Sequence, residues 1–153
     1  MAYSAYKKLS VTVAHGVATV VIDNQECQWG MNIFTPDLND EISDFSTKAE
    51  VDDQIRAIIL RSADPDFFIA HYDVSTLVES SAKVTGKHDE VEKRTELGGF
   101  HQMCERFRTM PKVTIAEIAG RAGGGGNELA SSCDMRFGLY GKTKVRRLLV
   151  IPY

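Results

Sequence analysis

The sequence has no tract suited to a metal centre, a nucleic-acid surface or a membrane span. Its three cysteines, Cys27, Cys104 and Cys133, stand far apart, with no CxxC pair or histidine-rich tract beside them. Spaced this way they read as reduced thiols of an intracellular protein, with no metal site among them. Lysine and arginine number 18 against 21 aspartates and glutamates, a net charge of -3. No basic run stands out, so nucleic acid is not an expected partner. No apolar run approaches the roughly 20 residues that cross a bilayer, the N-terminus has no signal-peptide h-region, and no Asn-x-Ser/Thr acceptor occurs. The expectation is no membrane association and a cytoplasmic location, with peroxisomal or mitochondrial import left open.

What is present is 153 residues, 43% of them hydrophobic, enough for a single globular domain, residues 1–153, with a core of its own. The most informative stretch runs from Thr114 to Leu129. An apolar strand, Val113 to Ala119, reaches a turn at Gly120 and then four consecutive glycines, Gly123 to Gly126; helix-compatible sequence resumes with Asn127, Glu128, Leu129 and Ala130. Glycine lets a backbone approach a ligand closely, and the first N–H groups of a helix lack intrahelical partners. Such a place suits an anion or a developing oxyanion. A phosphate loop is excluded by spacing: the Gly141-Lys142-Thr143 tripeptide would need its leading glycine at position 136, which is Arg136. The GxGxxG dinucleotide spacing is also absent. An oxyanion site with a carboxylate, Glu128, just inside the helix is what remains.

The rest of the chain reads as scaffolding. Lys8 to Ala14 and Val17 to Asp23 are β-rich runs around a His15-Gly16 turn, and the second has apolar or small residues on both faces, as if covered on both sides. Thr35-Pro36-Asp37 is a helix start, followed by Leu38, Ile42 and Phe45 at helical spacing. Ile55 to Arg61 has the branched-apolar character of a buried strand in a parallel sheet. Thr76 to Glu96 is polar and reads as a solvated loop and helix face. Leu97, Phe100, Cys104 and Phe107 form an apolar helix stripe that Pro111 ends, and Gly98 and Gly99 would each cost roughly 1 kcal/mol inside that helix.

Two motifs carry a resemblance. GRAGGGGNELASSCDMRF, with Ile118, Gly120, Gly124 to Gly126, Glu128, Leu129, Cys133 and Asp134 in order, resembles the second signature of the crotonase family, the enoyl-CoA hydratases and isomerases. Phe68, Ala70, Asp73 and Val74 fall in register with that family's first signature, in which His71 replaces the usual glycine. The resemblance covers about residues 8 to 137. It implies an α/β fold, a crotonase-like spiral of ββα units, incomplete at the C-terminus.

It also implies chemistry. Crotonases hold an acyl-CoA thioester oxygen on two backbone N–H groups while a carboxylate moves a proton or activates water. Here the donors would be the N–H groups of Tyr72 and Gly125, the acid/base Glu128, and the substrate-binding positions Ala70, His71, Asp73 and Gly124. No cofactor is implied beyond the coenzyme A of the substrate, and a complete chain would form a homo-oligomer, the family trimer. An unperturbed imidazole titrates near neutrality, so histidine as a residue type admits a base role at position 71; the plainer reading has the His71 and Tyr72 side chains filling the pocket wall. At position 71 a positive φ would suit the family's glycine, and His tolerates one. Asn32 matches a characteristic family asparagine, but Trp29, Gly30 and Met31 before it bring no charge for coenzyme A phosphates. Family spacing puts a second acid near positions 145 to 148, where the chain has Val145, Arg146, Arg147 and Leu148. Three readings follow. The chain is an enoyl-CoA hydratase or isomerase of acyl-CoA and fatty acid metabolism, with one acid favouring isomerase-like proton transfer; or an inactive fragment that binds acyl-CoA; or a subunit that associates with a full-length relative.

Overall fold

The computed structural model describes residues 3, 5–25, 30–73 and 98–146. Val74, Thr76 to Leu97, Cys27, Trp29, Arg147 and Leu148 lie outside them. The elements are β1 (Leu9–Ala14), β2 (Val17–Ile22), α1 (Pro36–Glu50), β3 (Ala57–Ser62), β4 (Phe67–Ile69), α2 (Gly99–Thr109), β5 (Val113–Ile118), β6 (Arg121–Gly123), α3 (Gly125–Ser132), β7 (Met135–Gly138) and β8 (Lys144–Arg146). Among the described residues two strands and a helix thus recur three times, as the resemblance implies. From β3 onward each pair divides, the first strand joining a five-stranded sheet of order β1-β2-β3-β5-β7 and the second a three-stranded sheet of order β4-β6-β8. Among the described residues every strand pairing is parallel except the β1–β2 hairpin.

Local chemistry explains most of these elements. His15 and Gly16 have φ of 53° and 82°, so both central residues of the hairpin turn are left-handed, the form that matches strand twist. Thr35 caps α1, its hydroxyl accepting from the Leu38 N–H at 3.3 Å, with Pro36 in the first turn. Leu38, Ile42 and Phe45 are fully buried below it. In β2 the Ala18, Val20 and Ile22 face is buried while Val17, Thr19 and Val21 are half-buried, so cover on the second face is partial. Gly98 and Gly99 are the N-cap and first residue of α2, where the interior glycine penalty does not arise. The helix buries Met103 and Phe107, with Phe100 and Cys104 half-buried against the core.

The core runs from Leu9 and Val20 through Ile58, Leu60 and Phe68 to Met103, Phe107, Leu129 and Ala130. At its far side β7 is exposed along its length, and Met135, Phe137, Leu139, Tyr140 and Val145 show apolar surface at the open edges of the two sheets. No helix among the described residues is long and apolar enough to cross a membrane.

The N-terminal segment is tied down by carboxylates. The amides of Lys7 and Lys8 donate to Glu41 at 2.9 and 2.8 Å, and the hydroxyls of Tyr3 and Tyr6 donate to Asp52 and Asp44 at 2.7 and 2.8 Å. The Tyr3 bond, with the Gln54 N–H, holds the Asp52 carboxyl below the usual carboxylate range; Lys48 and then Tyr6 do the same for Asp44. A carboxyl depressed in the folded state stabilises above its unfolded pKa, and that contribution is lost as pH falls through the folded value. Stability should therefore drop on acidification below about pH 4. Tyr3→Phe should make that drop shallower when unfolding midpoints are compared near pH 7 and about pH 3; an unchanged acid slope would remove the Tyr3–Asp52 bond from the account.

Candidate active site

Asn32 sets up the first half of the site. It is fully buried, its amide donates to the Ile22 carbonyl at 3.1 Å and to the Ser62 hydroxyl at 2.6 Å, and its side-chain oxygen accepts from the Asn24 N–H at 2.6 Å. Ser62 in turn donates to the Phe67 carbonyl at 2.6 Å. With its polar groups satisfied, the buried amide is a brace between the ends of β2, β3 and β4 rather than a cost. The Asn32 carbonyl accepts from Ala70 N–H at 2.8 Å, and two residues on Phe34 bridges Tyr72 in parallel fashion: Phe34 N–H donates to His71 O and Asp73 N–H to Phe34 O, both at 2.9 Å. In a parallel bridge the flanking residues face the partner and the central one faces away. The Tyr72 N–H therefore points to the opposite side, and among the described residues it has no hydrogen-bond partner.

What stands there is the glycine run. Gly123 ends β6, Gly124 turns with φ 48° and ψ -124°, a region closed to residues with a Cβ, and α3 begins at Gly125. The helix thus opens two residues earlier than Asn127, where helix-compatible sequence resumes. Its N-cap has no side-chain hydrogen bond, so the first N–H groups, Gly125 foremost, lack both intrahelical and capping acceptors. The two backbones are pressed together. A Cβ on Gly123 would lie 2.4 Å from the Ala70 carbonyl oxygen, and one on Gly126 2.4 Å from the Ile69 carbonyl oxygen and 2.6 Å from Ile69 Cβ. A Cβ on Gly124 would stand 3.8 Å from Tyr72 N.

Glu128 lies in the first turn of α3, its own N–H donating to Gly124 O at 3.0 Å and its side chain exposed. It is near Cys104 on α2. Burial pushes the Cys104 thiol up to about 11, against the nearby Ser132 hydroxyl and with a further rise from the Glu128 carboxylate. Burial, helped by Asp134, raises Cys133 to about 12. Both cysteines are free, and as protonated thiols at neutral pH they are poor nucleophiles. The Cys133-Asp134 dipeptide has structural work: Asp134 accepts from Thr114 N–H at 2.8 Å and from its hydroxyl at 2.9 Å, fixing the entry of β7 to β5. Arg136 donates to the carbonyls of Ala130, Ser131 and Cys133 at the C-terminus of α3.

Known proteins resemble this chain in both sequence and fold. The enoyl-CoA hydratase/isomerase family model matches residues 12–138. The chain belongs to the enoyl-CoA hydratase/isomerase family. It is 31% identical over 120 residues to the short-chain-enoyl-CoA hydratase of Clostridium acetobutylicum, covering 78% of this chain and 42% of that protein. It is 30% identical over 108 residues to human mitochondrial methylglutaconyl-CoA hydratase, covering 71% of this chain and 30% of that protein. The crystal structure of a candidate enoyl-CoA hydratase from Streptomyces avermitilis superposes with a TM-score of 0.74 at 29% identity, over 92% of this chain and 49% of that one. The fold is thus the crotonase-like spiral, and the chain spans less than half the length of these relatives.

As a crotonase-family member the chain brings Ala70, His71, Tyr72, Gly124 and Gly125 together, with Asp73 following through its backbone bond to Phe34 and Glu128 one helical turn beyond Gly125. Among the described residues only His15 is a non-glycine with positive φ, so position 71 does not need the family's glycine for its backbone. Its Nδ1 lies 2.7 Å from Tyr72 O; a carbonyl can only accept, so Nδ1 carries the proton. Beside it is a cavity of about 270 Å³ lined by Met31, Ala70, His71, Gly123, Arg121 and Lys144, among others. Sequence reasoning missed Arg121 and Lys144, which sit on neighbouring strands β6 and β8 far apart in sequence. It also missed Phe34, whose ring stacks on Tyr72.

Gly126→Ala should lower stability by about 1–3 kcal/mol, the range for overpacking a tight contact, whereas Gly99→Ala, with its nearest neighbour 3.9 Å away, should change it by less than about 0.5 kcal/mol. Denaturant midpoints decide; equal effects would mean that α3 does not lie against β4.

Proposed function

We propose that the chain is an enoyl-CoA hydratase/isomerase-type enzyme that stabilises the enolate of an acyl-CoA thioester. The observation that carries this is the pair of outward N–H groups, Tyr72 from the bridged strand end and Gly125 from the uncapped helix, on two backbones in contact. The thioester oxygen would accept from both, and each such donor is worth about 3–4 kcal/mol to a developing oxyanion. Glu128 would move the proton, a contribution of typically about 10²–10⁴ in rate. No cofactor takes part beyond the coenzyme A of the substrate. Its phosphates would find their charge partners in Arg121 and Lys144 at the cavity beside Ala70 and His71, a supply that Trp29 to Met31 does not offer. The family trimer belongs to this proposal for the whole protein, with apolar surface at the open sheet edges available to it.

Isomerisation fits better than hydration. Proton transfer needs one group: Glu128 takes a proton from C2 of a 3-enoyl thioester, the electron pair passes to the thioester oxygen, and the proton returns at C4. Hydration uses a second acid, and β8 carries Val145 and Arg146 where family spacing puts one. The same absence favours the alternative reading, a chain that binds acyl-CoA without turnover.

Assays with a 3-enoyl-CoA and with crotonyl-CoA separate these outcomes, since isomerisation creates the conjugated absorbance and hydration removes it. If turnover is found, Glu128→Gln should lower kcat by at least about 10²-fold with little change in KM. Gly125→Pro should abolish turnover while leaving much of the fold, because proline deletes the donor yet suits the first position of a helix. Tyr72→Ala keeps its backbone donor and should cost much less. A tolerant Glu128 beside an irreplaceable Tyr72 would assign the proton work to the phenol instead.

A further inference from the structure

Resting on the acyl-CoA reading above, we propose that Phe100 and Tyr72, braced by Phe34, fix the length of the acyl group, and that the site takes short acyl thioesters. Three parts of the chain bring these rings together: the segment before α1, the segment after β4 and the first turn of α2. Phe34 and Tyr72 stack with centroids 5.7 Å apart and planes 8° from parallel. Phe100 stands edge-on to both, 5.0 Å from Phe34 and 5.7 Å from Tyr72. Phe34 is fully buried and so anchors the cluster, while Tyr72 and Phe100 are half-buried.

The cluster presses on the residue that matters. A Cβ on Gly125 would touch Phe100 Cζ and Tyr72 Cδ2, each at 3.4 Å. An acyl group whose carbonyl oxygen sits on the Gly125 N–H therefore begins its carbon chain beside both rings. The far side is bounded as well. Cys104 is one turn on from Phe100 and lies near Glu128 and Ser132, which follow Gly125 along one face of α3. Rings and carboxylate thus flank the same stretch of the α2–α3 seam: the first acyl carbons lie between Glu128 and the rings, and a longer chain runs into Phe100. A chain that extends past this contact must displace a side chain of an interlocked cluster, a demand that octanoyl makes and butyryl does not.

Isothermal titration with butyryl-CoA and octanoyl-CoA tests this on the parent chain, Phe100→Ala and Phe100→Leu, with thermal unfolding to show that each variant folds. The parent should bind butyryl-CoA at least about tenfold more tightly than octanoyl-CoA, a modest demand on a pocket that discriminates by size. Phe100→Ala should bring that ratio to about one or reverse it, and Phe100→Leu, which keeps apolar bulk but removes the ring, should move it the same way. A parent that takes both esters equally, or a ratio unmoved in both folded variants, overturns the proposal and leaves the acyl-CoA reading standing. A parent that binds neither ester overturns the acyl-CoA reading, and the length proposal with it.

Discussion

Main chain meets main chain where the first turn of α3 lies on the end of β4, and no side chain fits between them. The carbonyl oxygens of Ile69 and Ala70 occupy the space that Cβ atoms on Gly126 and Gly123 would need. Contact at this distance is stiff, because neither partner has rotamers through which to yield. It also fixes the spacing between two peptide N–H groups that belong to segments about fifty residues apart. Donors held this way need little reorganisation when charge develops on a substrate oxygen, which is the physical basis of an oxyanion site.

Around that contact polar ties set orientation. Asn32 and Ser62 join the ends of β2, β3 and β4, and Thr114 and Asp134 join β5 to β7. The side-chain polar groups of the fully buried Asn32 all have partners, so burial strengthens that tie. The Phe34 bridge uses the N–H of Asp73 and the carbonyl of His71 and leaves the N–H of Tyr72 to the other side. Local chemistry then sets the entry to α3: a glycine N-cap brings no side chain to occupy the first helix donors.

Much of this was legible in the chain. The His15-Gly16 hairpin, the Thr35-Pro36 helix start and the buried strand through Ile58 and Leu60 follow from local signals that tertiary packing reinforced. The two signatures named the family. The second sheet was not legible, since β4, β6 and β8 are three residues each, too short to show a period, and exist only by pairing with one another. For the same reason Arg121 and Lys144 gave no sign of sharing a cavity wall, and Phe34 gave none of stacking on Tyr72. The start of α3 escaped because glycine has poor helix propensity; close approach to β4 makes it the residue that fits there. Whether position 71 needs a left-handed backbone could not be read from the chain, and the structure shows that it does not.

In the proposed reaction Tyr72 N–H and Gly125 N–H receive one oxygen. A crystal structure of the chain with bound butyryl-CoA tests it most directly. The thioester oxygen should lie within about 2.7–3.1 Å of both nitrogens, with Glu128 on the C2 side. A thioester oxygen directed to solvent or to a side chain, with both N–H groups left unengaged in the occupied site, would contradict it.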